Sequence, residues 1–296
     1  MANPMSSAVT GMDASQQWMS VVGNNIANMN TVGYKASEVN FQALLSQTLS
    51  KGNGGNIGGL GGSNPQQVGT GVSIGSITPN FSSGALTNTG NPNDLAITGN
   101  GFFVVYPSNS TLTSSPTPPA GSTPTSPGTP TYYTRAGNFS VDSNGYLVDP
   151  NGNYLMGVET KNSSGTAVSP AVWGPINVND SSGNPSTYTV GANGTVTVQG
   201  GNTYQLYLAN FPNPAGLTSA GSNLYTAPAG GNAGAVSYLT PGSGTFGTIS
   251  QGYLESSNVD LTQEMSNMIQ AQTMYDGNSK MIQTVSGMYQ FMLQQV

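Results

Sequence analysis

Eleven carboxylates, four lysines and one arginine carry all the formal charge of this 296-residue chain, which has neither His nor Cys. Ser-His-Asp and Cys-His nucleophilic catalysis are therefore excluded, as are zinc sites built on Cys or His. No side chain has an unperturbed pKa between about pH 5 and 8. The acids are Asp13, Glu38, Asp94, Asp142, Asp149, Glu159, Asp180, Glu255, Asp260, Glu264 and Asp276. Asp142-Ser143-Asn144-Gly145 and Asp149-Pro150-Asn151-Gly152 resemble fragments of a calcium loop. A full loop needs more oxygen ligands and a closing bidentate Glu, so they read as hairpin turns. The Gly-rich run at 52–62 lacks the Lys-Ser/Thr and the helix that a phosphate cradle requires. Arg135, the only arginine, is expected to make one structural carboxylate pair. Glu255, Asp260 and Glu264 gather where a last helix would start, at the positive end of its dipole. No constellation supports an enzyme, a cofactor or a metal site.

The rest of the composition narrows the class. Charged residues are 5% of the chain, against roughly 25% in a typical soluble domain. Five cations cannot form an electrostatic footprint for nucleic acid. No apolar run is long enough to cross a membrane, so no membrane insertion is expected. The N-terminal residues lack the basic and apolar regions of a cleaved secretory signal.

Two terminal segments must be helical. Met5, Ala8, Met12, Ser15, Met19, Val22, Ile26 and Met29 fall on one three-four line, apolar except for Ser15. Asn and Gly over 28–33 are stop signals. At the other end, Asn258 or Asp260 can cap a helix that runs to about Gln294. Leu261, Met265, Met268, Tyr275, Ile282, Tyr289 and Leu293 mark one stripe on it. Ile269, Met281, Val285, Met288 and Met292 mark a flanking one. Such a wide apolar arc should touch several neighbours. Neither helix has a charged outer face, so both suit burial among copies of the chain.

The middle reads as β-structure. Short apolar or alternating runs recur at 95–97, 102–106, 146–148, 188–190, 195–198 and 204–211. Asn-Gly pairs at 100–101, 144–145, 151–152 and 193–194 punctuate them as turn signals. Residues 107–131 form a Pro/Ser/Thr-rich surface loop. The fold class is mixed, with helical ends and an all-β centre.

Four segments carry a family resemblance: VVGNNIANMNTVGYKASEVNF at 21–41, DLAITGNGFFV at 94–104, YTRAGNFSVDSNGYLV at 133–148, and GYLESSNVDLTQEMSNMIQAQTMYDGNSKMIQT at 252–284. Together they resemble the flagellar basal-body rod and hook family. The motif positions are Asn24, Asn25, Asn28, Asn30, Gly33, Tyr34, Asn258, Asp260 and Asn278. The resemblance implies an axial subunit that polymerises into a helical tube. The terminal helices would form a coiled-coil-like inner domain, and the β domain would face outward. Expected bounds are 1–32 for the N-terminal inner helix, 33–75 for a Gly-rich, partly extended connector, 76–250 for the outer β domain and 251–296 for the C-terminal inner helix. The apolar stripe residues become subunit-packing positions. Expected partners are other copies of the chain, adjacent axial proteins (distal rod, hook–filament junction, hook cap) and the flagellar export apparatus. Export would proceed without a cleaved signal, to the extracellular hook or basal body.

Within the family, TVGYKAS and the segments at 57–77, 153–157 and 208–225 resemble hook members. The first expectation is therefore a short hook protein, a flexible universal joint that transmits torque. A distal rod subunit is the alternative. A secreted β-rich adhesin or glycan-binding module is the reading from another class. Gln272-Thr273-Met274-Tyr275 lacks the Arg usual in the family, and Asp276-Gly277 should soften the last helix.

Overall fold

The computed structural model describes residues 4–52, 62, 64–107, 131–162, 164–167, 173–228, 230–244 and 246–295. The Pro/Ser/Thr-rich insert and most of the Gly-rich run lie outside the described residues. An N-terminal helix and a C-terminal helix flank a largely β centre, the mixed fold that the sequence predicts. The chain divides into two compact units, one of 1–27, 37–80 and 259–296 and the other of 28–36 and 81–258.

The first unit is built on helices α1 (Pro4–Ala27) and α2 (Leu261–Gln294). They pack against each other antiparallel, since Asn25 meets Glu264 while Gly11 meets Asn278. Asp260, not Asn258, caps α2: its carboxylate accepts from the Thr262 and Gln263 amides. That satisfies donors which the first helical turn leaves orphaned. The helix runs without a break through Gly277.

Most of the described residues in the segment expected as a connector are paired backbone. Strand Ser37–Ala43 lies antiparallel to Val72–Pro79, and Ser46–Ser50 to Gln66–Gly69. Alternation of apolar and polar residues was too weak there to signal a strand, because most of these positions are exposed. Trp18 of α1 meets Phe41 edge-to-face, with ring centroids 5.5 Å apart.

The second unit is a strongly paired β domain. Its main sheet has the order 188–190, 195–198, 203–205, 154–161, 103–106, 132–134, 224–226 and 218–221. Strand Phe103–Tyr106 is buried on both faces, which explains its continuous apolar run. Phe103 and Val105 join one core with Leu147, Leu155, Val196 and Leu208. Val104 and Tyr106 join another with Phe102, Met156, Trp173 and Phe211. The apolar run at 204–211 is two strands, Thr203–Gln205 and Leu208–Asn210, rather than one.

Three turns share one device. The Oδ1 atoms of Asp142, Asp149 and Asp180 each accept from the amides two and four residues on, at 2.7–2.9 Å. Gly145, Gly152 and Gly183 supply the positive φ that each turn needs. The Asp142 and Asp149 loops are thus turns, as expected from sequence. At these turns Gly alone enters the left-handed region.

Candidate functional site

Three charged side chains of the β unit are buried together. Lys35, Arg135 and Glu255 are each at most 2% exposed. Lys35 Nζ donates to Glu255 Oε1 at 2.7 Å, and Arg135 Nη1 donates to Glu255 Oε2 at 3.3 Å. Arg135 therefore makes the carboxylate pair expected of it. Glu255, however, ends strand Tyr253–Glu255 and does not join Asp260 and Glu264 at the head of α2.

Backbone groups complete the cluster. Lys35 Nζ also donates to the Ser82 carbonyl at 2.7 Å. Glu255 Oε1 accepts from the Gly84 amide at 2.9 Å, and Arg135 Nη2 donates to the Gly99 carbonyl at 2.7 Å. The guanidinium carbon stands 5.5 Å from the centre of the Phe102 ring, a cation–π distance. Burial lowers the Lys35 ammonium and the Arg135 guanidinium from their ordinary values, and Glu255 pulls both back up. Two cations share one carboxylate, so the cluster depends on that carboxylate more than on either cation.

Motif residues converge on the same spot. Gly33 has φ +67°, and its amide donates to the Glu255 carbonyl at 2.8 Å. A Cβ there would lie 2.6 Å from the Ala136 nitrogen, so only glycine fits. Asn258 Oδ1 accepts from the Ala36 amide at 2.8 Å, while its Nδ2 donates to Ser82. Asn28 accepts from Thr31 through its carbonyl and its side chain. Tyr34 is half-buried and Asn30 is exposed. The cluster thus knots the stretches 33–36, 82–84 and 255–258. These adjoin three of the four places where the chain passes from one unit to the other.

In the helical unit, Asn25 is 1% exposed and acts as a substitute strand partner. Its Nδ2 donates to the Ser37 carbonyl and its Oδ1 accepts from the Ser37 amide, both at 3.0 Å. The same Nδ2 donates to Glu264 Oε1 at 3.0 Å. Asn24 is exposed. Asn278 is half-buried, its side chain lying over Gly11.

The apolar stripe residues divide by helix. Ala8 and Val22 are buried, while Met5, Met12, Met19, Ile26 and Met29 are half-buried. On α2, Val285 is buried, and Met268 and Ile282 are half-buried. Leu261, Met265, Ile269, Tyr275, Met288, Tyr289, Met292 and Leu293 are exposed. The seam itself is made of small or polar residues. Ala8, Gly11, Ala14, Ser15, Val22 and Asn25 are buried on α1, and Glu264, Ala271 and Val285 on α2. Near the C-terminal end of α2, Val285, Met288, Tyr289, Phe291 and Met292 line a mainly apolar recess of about 620 Å3.

No group of three or more His, Cys, Asp or Glu side chains among the described residues could hold a metal ion. No described helix is long and apolar enough to cross a membrane. Nothing local in the sequence links Lys35, Arg135 and Glu255, since the segments that hold them carry other charges as well.

The chain matches three family models. Residues 5–35 match the flagella basal body rod protein family, 124–198 the D1 domain of flagellar hook protein FlgE/F/G, and 250–295 the C-terminal region of the flagellar basal body rod FlgEFG protein. It is 35% identical to the flagellar basal-body rod protein FlgG of Bacillus subtilis, over 96% of this chain and 95% of that one. It is 36% identical to FlgG of Caulobacter vibrioides with the same coverage. It is 38% identical to the flagellar hook protein FlgE of Borreliella burgdorferi over 169 residues, 57% of this chain and 34% of that protein. Matched at both ends and across its centre, the chain belongs to the flagellar basal-body rod and hook family, whose members are structural components of the flagellum and not enzymes.

Proposed function

We propose that the chain is a rod subunit of the basal body, a distal segment of a stiff drive shaft, rather than the hook. One observation carries the choice. The chain and the rod proteins it resembles are coextensive, each covering about 95% of the other, whereas it spans only 30–34% of the hook proteins it matches. Most of the length of those hook proteins lies outside the matched region. Local likeness to hook motifs, 42% over 158 residues for Treponema pallidum FlgE, then reflects the part that rod and hook proteins share.

The exposed stripes of α2 supply a mechanism of assembly. Leu261, Met265, Ile269, Tyr275, Met288, Tyr289, Met292 and Leu293 leave apolar surface in water that a second copy would cover. Full burial is worth about 1.5–3 kcal/mol for a large apolar side chain. Half-buried Met5, Met12, Met19 and Ile26 extend the same surface on α1. Copies of itself, neighbouring axial proteins and the flagellar export apparatus are the partners on this reading, and export would use no cleaved signal. The buried cluster suits a shaft under torque. It fixes the stretches by which the chain enters and leaves the β unit, through ion pairs and hydrogen bonds made on Glu255.

The test is cryo-electron microscopy of purified hook–basal bodies with this subunit traced into the density. Placement in the straight shaft supports the proposal. Placement in a curved segment outside the envelope overturns it in favour of the hook.

A further inference from the structure

Methionine is unevenly spread along this chain. Of twelve methionines, eleven lie at positions 1–29 or 265–292; the remaining one, Met156, sits in the core of the β unit, where it is 1% exposed. With no Cys, methionine is the only sulfur that can be oxidised. On α2, Met265, Met274, Met281, Met288 and Met292 are 43–59% exposed. Met274, Met281 and Met288 are seven residues apart, and Met292 is one turn further on, so the four share one face of the helix. Met288 and Met292 also line the apolar recess.

We infer that this stripe is a reversible oxidation site that decides whether a free subunit can join an assembly. The inference rests on the reading of α2 as a self-packing surface. The chemistry is a two-electron transfer with a peroxide. The thioether lone pair attacks one peroxide oxygen, the O–O bond breaks, a sulfur–oxygen bond forms and water leaves. Sulfur is oxidised and the peroxide oxygens are reduced. A sulfoxide reductase with a thiol reductant removes the oxygen again as water. Each sulfoxide replaces a soft apolar contact with a strong acceptor. Against another apolar helix face that acceptor would be buried without a donor, which opposes packing. Once buried in the assembly, the same sulfurs are out of reach of oxidant.

The experiment uses the full chain, limiting hydrogen peroxide and peptide mass spectrometry. Expected is early oxidation of Met288, Met292 and Met265, later oxidation of half-buried Met268 and Met12, and a Met156 that resists until the chain unfolds. Sedimentable polymer from the treated chain should fall at least about tenfold and return after incubation with sulfoxide reductase and dithiothreitol. Far-UV circular dichroism should not change. The variant M281L/M288L/M292L should lose much less polymer to peroxide than wild type, because only Met265 and Met274 of the exposed methionines on α2 remain. The inference is overturned if treated wild type polymerises like untreated, or if the triple variant loses as much polymer as wild type. Failure of the untreated chain to polymerise overturns the assembly reading instead. In that case, oxidation of Met156 as fast as Met288 overturns the site itself.

Discussion

Phe103 and Phe291 have the same side chain and opposite fates. Phe103 is 1% exposed, inside a core assembled from strands that lie far apart in sequence. Phe291 is 62% exposed near the end of α2, and Leu293 beside it is 78% exposed. The contrast extends to the two units. In the β unit apolar residues are answered from within the chain, and its buried charges find partners there too: Lys35 and Arg135 on Glu255, Asp94 on Thr89, and Asp149 on the groups of its own turn. The helical unit spends its small residues on the seam between α1 and α2 and leaves its large ones outside. A domain that exposed so much apolar surface for no purpose would aggregate. The two units therefore solve different problems, one being complete alone and the other complete only in company.

The sharpest way to break this comparison is to remove the carboxylate of the buried cluster. Glu255→Gln leaves Lys35 and Arg135 facing each other in a dry site and should cost about 3–5 kcal/mol of stability. Lys35→Met, which leaves the Arg135–Glu255 pair intact, should cost less, about 1–3 kcal/mol. Urea denaturation followed by tyrosine fluorescence measures both. Equal losses would mean that the cluster is not organised around Glu255.

Alkaline pH gives the next effect. Burial raises the phenols of Tyr133, Tyr188 and Tyr225 above their ordinary 10.0, that of Tyr225 to about 12. Above pH 10 the unfolded chain releases protons that the folded chain keeps, so stability falls as pH rises toward about 12. The slope should be about 1.4 kcal/mol per pH unit for each tyrosine. Lys35, lowered by burial, works the other way: it favours the folded state as pH rises, up to its ordinary 10.5. Tyr225→Phe should remove one tyrosine's share of the slope in urea midpoints taken between pH 9.5 and 12. An unchanged slope would show that Tyr225 ionises freely in the fold.

Two glycines test the helices. A Cβ on Gly11 would lie 2.6 Å from Asn278 Nδ2, whereas one on Gly277 would meet nothing within 4 Å. Gly277→Ala should gain about 1 kcal/mol from helix propensity. Gly11→Ala gains the same propensity but must displace Asn278, for a net loss of about 1 kcal/mol. Thermal melts of both variants decide whether the seam is as tight as it looks. The smallest expected change in monomer stability comes from Tyr289→Ser with Leu293→Ser, within about 0.5 kcal/mol, because both side chains are already wet. Polymer yield, read by sedimentation, should nevertheless collapse. Retained yield would place the assembly surface elsewhere.

Much of this was legible in sequence, for identifiable reasons. Helices show through a three-four apolar line whether their partner is inside or outside the chain, so α1 and α2 could be read within a residue or two. Period alone does not say which apolar residues face inward. The seam keeps Ala8, Ser15, Val22 and Val285 from the stripes but adds Gly11, Ala14, Asn25, Glu264 and Ala271, which no hydrophobic stripe would select. The paired strands at 37–50 and 66–79 were hidden because their side chains are mostly exposed and polar. Strand Phe103–Tyr106 was plain because both its faces are buried. The Lys35–Arg135–Glu255 cluster was missed because nothing local links three charges so far apart.

That separation has a consequence for timing. The pairs that close the cluster span 220 and 120 residues of chain. Contacts of such long range must meet the entropy of loop closure before they return anything, and they slow folding accordingly. A chain emerging from its N-terminus holds Lys35 and then Arg135 without the carboxylate that receives them both in the fold. The β unit stays unlatched until Glu255 arrives, with only α2 still to follow. Delivery of nearly the whole polypeptide is thus a precondition for locking, and a subunit cut short upstream of Glu255 would never lock at all.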